Sequence, residues 1–415
     1  MTESVTTSSD IDGCLEDRRV IVCVGTGGVG KTTIAATIAL EAARRGAVAL
    51  VMTIDPARRL AGALGLEALG SDPQEISLAS RDSLGLRSEG RLFAMVLDMK
   101  RTFDDLVTRL AEDESVRLRI LRNPIYQHVS DALAGSAEYA AMEKVYELLE
   151  SGRFDLIVLD TPPTQHAVDF LDAPARLLAF LDSALVRRLI HPAFSAGRLG
   201  FRVFQGATTR LLALLERLLG MAFLGDLSEF LLAFENMSTG FAARATRVRA
   251  MLLGPDAGFV FVAGPSLQGA RNAMGFLDHL AKERTPLIGL VINRVRLWPD
   301  PHATAIADAD PASLDADLRT LREALREARP GEDAAELARG AVAAATQYDR
   351  LVDFDRRNTD SLAQLAGRLG IWIRRIPELS EDVHDVRALQ RVGAALFPPT
   401  GPHASTTAND DESVR

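Results

Sequence analysis

Gly25-Thr26-Gly27-Gly28-Val29-Gly30-Lys31-Thr32-Thr33 is the stretch from which the fold of this chain is read. It fits G-x-x-x-x-G-K-[ST] from Gly25 to Thr32. The apolar run Arg19 to Val24 precedes it and reads as a buried parallel strand. The alanine-rich run Thr32 to Ala43 follows and has the spacing of a helix. Strand, glycine loop and helix in that order make an anion cradle. Glycines let backbone N–H groups turn inward, and the helix N-terminus adds partial positive charge. Gly27, Gly28, Val29, Gly30, Lys31, Thr32 and Thr33 are the expected cradle. Lys31 is placed to reach the β- and γ-phosphates of a nucleotide, and the Thr32 hydroxyl to meet Mg²⁺. The competing reading is a glycine-rich turn with no ligand, which the two flanks make the poorer one.

Ala47 to Thr53 reads as a second strand ending in Ile54-Asp55-Pro56-Ala57-Arg58-Arg59. Apolar runs at Leu92 to Leu97, Phe154 to Leu159, Gly258 to Ala263, Leu287 to Ile292 and Ile371 to Ile376 alternate with helical patterns. This alternation predicts an α/β fold, a mostly parallel sheet flanked by helices, with functional loops at the strands' carboxyl ends. The strand from Phe154 delivers Asp160, followed by Thr161-Pro162-Pro163-Thr164, to the end where a carboxylate behind Mg²⁺ is needed. Asp55 sits where a carboxylate can orient or deprotonate a water attacking the γ-phosphate. Either aspartate alone also reads as a turn residue. Three pieces in one sheet order carry the nucleotide reading.

Two segments break the alternation, residues 101–150 and 174–254, and both have helical patterns. The second is apolar on most faces, with Leu177, Leu178, Phe180 and Leu181 early and Leu211, Leu212, Leu214 and Leu215 later. Such helices are either core or the cover of an apolar partner. Asp300 to Glu327 reads as an irregular connection before a charged helix from Asp333 to Leu369. Residues 1–17 and 398–415 are polar and expected to be disordered, leaving one domain over 18–397.

Of the 415 residues 47% are hydrophobic and 25% charged, enough to bury a full core, and the formal net charge of −9 argues against nucleic acid as a partner. No uncharged apolar run approaches the roughly 20 residues needed to span a bilayer, and the N-terminal stretch has no apolar signal core. A cytoplasmic protein without an integral membrane segment is expected. Cys14 and Cys23 form no disulfide framework or metal pair.

Gly25 to Thr33, Thr53-Ile-Asp-Pro-Ala57 and Asp160-Thr-Pro-Pro-Thr164 together resemble the ArsA/GET family of P-loop ATPases. So do Leu133 to Glu138, Phe234 to Phe241, Ile292-Asn293-Arg294 and Ile376-Pro377-Glu378-Leu379. The resemblance runs from about Arg18 to Phe397. It implies a P-loop NTPase fold of the SIMIBI type with an inserted helical subdomain, using ATP and Mg²⁺. It also implies Asp55 as the switch I carboxylate that positions water, Asp160 as the switch II residue behind Mg²⁺, and Asn293 and Pro377 as adenine contacts. Members of that family work as nucleotide-gated dimers whose helical subdomains bind a hydrophobic client. Thr26 stands where most members carry a lysine that reaches the partner's nucleotide, so the resemblance implies either a homodimer with another cation or a heterodimer with a lysine-containing paralogue. The helical insert has no cysteine, which argues against an arsenite-pump role. The C-x-x-C that joins some related dimers is absent as well.

Overall fold

The computed structural model describes residues 11–55, 59–77, 87, 89–124, 126–127, 137–162, 226, 230, 237, 239–266, 271, 273–275, 277, 285–298, 311–330 and 333–398. Its centre is an eight-stranded sheet. In chain order the strands are β1 (Val20–Gly25), β2 (Val48–Thr53), β3 (Gln74–Glu75), β4 (Arg91–Val96), β5 (Leu156–Asp160), β6 (Ala257–Ala263), β7 (Leu287–Val295) and β8 (Trp372–Pro377). They lie in the order β3-β4-β2-β5-β1-β6-β7-β8. All pairs are parallel except β3 with β4. The seven expected strands are present, each within two residues at its start. The antiparallel β3, held by a Glu75–Arg91 ion pair, was not expected. Two residues carry no readable period.

The central strands are buried on both faces, so alternate residues feed two cores. Val20, Val22 and Val24 of β1 join one core, where Phe103 of α4 (Met99–Leu110), Tyr139 and Met142 of α6 (Ala137–Glu150), Val248 of the helical run 239–252 and Leu362 of α8 (Ala334–Leu369) pack. Ile21 and Cys23 join the other, with Ile34 and Ile38 of α2 (Lys31–Arg44) and Leu389 and Val392 of α9 (Val386–Leu396). Aspartates accept backbone N–H groups at several helix starts: Asp98 at α4, Asp113 at α5 (Glu114–Arg122), Asp333 at α8 and Asp385 at α9.

Two expectations are corrected. Within the expected disordered leader, Ile11–Asp17 is a helix, α1, because Ile11 is buried against the second core and Asp12 pairs with Arg45. Within the expected irregular connection, Pro311–Ala328 is a helix, α7. Proline suits its first position, where no N–H bond is lost, and half-buried Leu318, Leu321 and Leu325 share a helical spacing. Residues 1–10, the tail from 399 and the apolar segment from Arg176 to Phe223 lie outside the described residues. The choice between core and groove therefore falls there.

Gly289 of β7 stands opposite Trp372 of β8, and a Cβ at Gly289 would strike the indole ring. Gly289→Ala should overpack this pair and lower stability by about 1–3 kcal/mol, read as a lower urea midpoint. Gly340, exposed on α8 with open space where its Cβ would stand, should behave oppositely. Gly340→Ala should raise the midpoint by the equivalent of about 0.5–1 kcal/mol.

Candidate functional site

At the carboxyl end of β1 the chain turns into the glycine loop and then into α2. Gly30 caps α2 in the left-handed region (φ 89°, ψ 27°), and a Cβ there would collide with the Asn293 amide. Only glycine satisfies both demands. The Asn293 amide donates to the Val29 carbonyl at 2.8 Å, so the end of β7 holds the loop in place. Between Ile292 and Val295 the β7–β8 register shifts by one residue, and Arg294 has φ 60°. This bulge re-aims the strand end, where Asn293 is 7% exposed.

Three adjacent strands bring the chemistry together. In register, Asp160 of β5 lies between Cys23 of β1 and Thr53 of β2. Its Oδ2 accepts from Thr32 Oγ1 at 2.8 Å and from Thr53 Oγ1 at 2.9 Å. Its Oδ1 is buried and, among the described residues, accepts no hydrogen bond. Burial pushes the Asp160 carboxyl up to about 6, with nearby Asp55 acting in the same direction; the two hydroxyls and Lys31 oppose the shift. Thr161 next along donates its hydroxyl to the Cys23 carbonyl at 2.8 Å, closing β5 onto β1.

Lys31 is 6% exposed, and its ammonium donates to the Thr26 carbonyl at 2.9 Å. Burial lowers its pKa, which Asp160 partly offsets. The Asp55 N–H donates to Thr53 Oγ1 at 3.2 Å, while the Asp55 carboxylate pairs with Arg59 of α3 (Arg59–Ala63) at 3.3 Å.

These groups line a cleft of about 520 Å³. Gly28, Gly30, Lys31, Thr32, Thr33, Asp55 and Asp160 meet at one end. Asn293, Arg294, Ile376, Pro377, Leu379 and Val383 line it too, and the loop after β8 adds Glu378, Glu381 and Asp382. Of the expected site residues, Gly27 and Val29 belong to the loop without lining the cleft. Sequence reasoning gave no role to Thr53, whose signal was a hydroxyl ending an otherwise apolar strand, or to the acidic loop after Pro377. The donor set suits a magnesium–polyphosphate. An unpartnered buried carboxylate oxygen lies beside a threonine hydroxyl, and a lysine bent back onto its own loop stands close by.

The family model described as Anion-transporting ATPase matches residues 18–229, just over half the chain. A putative arsenical pump-driving ATPase of Halobacterium salinarum is 29% identical over 187 residues, covering 43% of this chain and 27% of that protein. The ATPase GET3 of Malassezia globosa is 27% identical over 157 residues, covering 38% of this chain and 43% of that protein. An uncharacterised protein of Streptomyces coelicolor is 29% identical over 273 residues, covering 65% of this chain and 64% of its own length. The chain thus spans less than two thirds of each of these relatives. Asn293 and Pro377 lie beyond the stretch that the family model matches. Residues 18–229 hold the glycine loop, Asp55 and Asp160, and by that match the chain belongs to the anion-transporting ATPase family.

Proposed function

We propose that the chain is a Mg²⁺-dependent ATP hydrolase of the ArsA/GET type. The observation that carries the reading is the convergence of Lys31, the Thr32–Asp160 pair and Asp55 from three neighbouring strand ends onto one end of the cleft. Lys31 leaves the Thr26 carbonyl and meets the β- and γ-phosphates; Thr32 and Asp160 are the residues that would hold the ion. Magnesium, when bound, would supply charge neutralisation on the phosphate oxygens. Asp55 orients a water toward the γ-phosphorus, whose bond to the bridging oxygen breaks as the water oxygen bonds, and accepts its proton. The products are ADP and phosphate.

The wider role is carried over from the resemblance. ATP and ADP differ in their contacts with the loops at Asp55 and Asp160, which shifts a dimer between open and closed forms. Segments 101–150 and 174–254, whose sequence patterns are helical, then present or hide a surface for a hydrophobic client. The protein works in the cytoplasm; among the described residues no helix is long and apolar enough to cross a membrane. Thr26 favours a second reading, a nucleotide-binding subunit with little turnover that a lysine-containing partner completes. Steady-state phosphate release from the purified chain separates the two.

Lys31→Ala should abolish ATP binding in calorimetry. Asp55→Asn should bind ATP as the wild type does yet release phosphate at least about 100-fold more slowly. A fully active Asp55→Asn chain would remove Asp55 from the mechanism.

Asp160 also predicts a pH dependence without nucleotide. A carboxyl whose folded-state pKa is raised to about 6 holds its proton more tightly folded than unfolded. Its contribution to stability is complete below about pH 4 and is lost as pH rises through about 6. Asp160→Asn should therefore be more stable than the wild type at about pH 7 to 8. The gap between their urea midpoints should close toward about pH 4.

A further inference from the structure

Asp355 lies in the middle of α8, and its side chain is 2% exposed. Its Oδ2 accepts from the Arg296 backbone N–H at 2.9 Å, and its Oδ1 from the Arg296 guanidinium at 3.3 Å. The same guanidinium reaches back to Glu378, with Arg296 Nε 3.7 Å from Glu378 Oε2. The Glu378 N–H donates to the Val295 carbonyl at 3.0 Å. One buried carboxylate on a helix thus grips, through Arg296, the two segments that leave β7 and β8.

The place of this grip gives it meaning. The last register pair of the two strands is Val295 with Pro377. Among the described residues the Glu378 N–H bond to the Val295 carbonyl is the last backbone tie between the two segments, and Arg296 and Glu378 are the next residues on each. Immediately before it the bulge holds Asn293 and left-handed Arg294. A non-glycine residue in that region is costly and persists where its surroundings determine it. Asn293, Arg294, Pro377 and Glu378 all line the cleft from the ends of β7 and β8, whereas Lys31, Asp160 and Asp55 come from the ends of β1, β5 and β2; Asn293 stands between the two groups, against the glycine loop. If phosphates occupy the glycine loop, this remaining part takes what they are attached to. Ile376, Pro377 and Leu379 offer it apolar surface suited to a flat base. A buried ion pair is a weak source of stability, and apolar residues of similar volume often serve a core better. Its effect here is on position.

We propose that Asp355 is a positioning residue for the nucleoside half of the cleft, setting through Arg296 the spacing of the Asn293–Arg294 and Pro377–Glu378 walls. The inference rests on the nucleotide reading of the preceding subsection. It predicts that the grip matters to a ligand with a base and not to one without.

The test compares binding of Mg²⁺–ATP and of Mg²⁺–tripolyphosphate, which lacks sugar and base, to the full chain by calorimetry. Asp355→Ala should weaken ATP by about tenfold or more and leave tripolyphosphate within about twofold. It should also raise KM for ATP with kcat at saturation little changed. Asp355→Asn keeps an acceptor for the Arg296 N–H and should recover most of the ATP affinity. Should Asp355→Ala not fold, Arg296→Ala decides: it removes the bridge to Glu378 and leaves Asp355 in place, with the same selective loss of ATP expected. Equal losses for both ligands, or no loss for either, would overturn this inference alone. A wild-type chain that binds neither ligand would overturn the nucleotide reading and the inference with it.

Discussion

The Asp160 carboxylate, held at one oxygen by the hydroxyls of Thr32 and Thr53, is the contact on which the site's architecture depends. It joins the start of α2, the end of β2 and the end of β5, three elements that reach this point from distant parts of the chain. Burying a carboxylate is costly, and the cost shows in the upward pull on its titration. Two hydroxyl donors and the nearby Lys31 offset only part of it. Among the described residues, the groups around this carboxylate leave its second oxygen without a hydrogen bond.

Sheet order makes that contact consequential. With β5 between β1 and β2, Lys31, Asp55 and Asp160 at the ends of the three strands line the cleft together. Thr53 donates to Asp160 and accepts from the Asp55 backbone. A single hydroxyl therefore links the buried Asp160 carboxylate to the backbone of Asp55. Arg59, in the first turn of α3, pairs with the Asp55 carboxylate, so Asp55 is held at its backbone by Thr53 and at its side chain by Arg59.

Much of this was legible in the sequence, and what was not has physical causes. The parallel strands announce themselves because burial on both faces demands near-continuous apolar runs, and the glycine loop because its backbone admits few residues. Asp160 was legible as a charge ending an apolar strand. The helix α1 was not, since its seven residues offer little more than Ile11 and Leu15 at helical spacing. Pro311 reads as a breaker until its position at the first turn is known. The bulge at Arg294 leaves no mark, because arginine is not the residue that left-handed backbone suggests. Asp355 was hidden among the charges of α8, where an aspartate ordinarily faces water; its burial depends on Arg296, some sixty residues away in the chain. Contacts between distant segments are what a periodic pattern cannot encode.

The bond from Asn293 to the Val29 carbonyl has a further consequence, in the entropy of binding. A glycine-rich loop is the kind of segment that loses most conformational freedom when a ligand orders it. Here β7 orders it through the chain's own contacts: Gly30 is held in its left-handed cap under the Asn293 amide. The ordering cost falls on folding, so a larger share of each N–H contact to an anion is left as affinity.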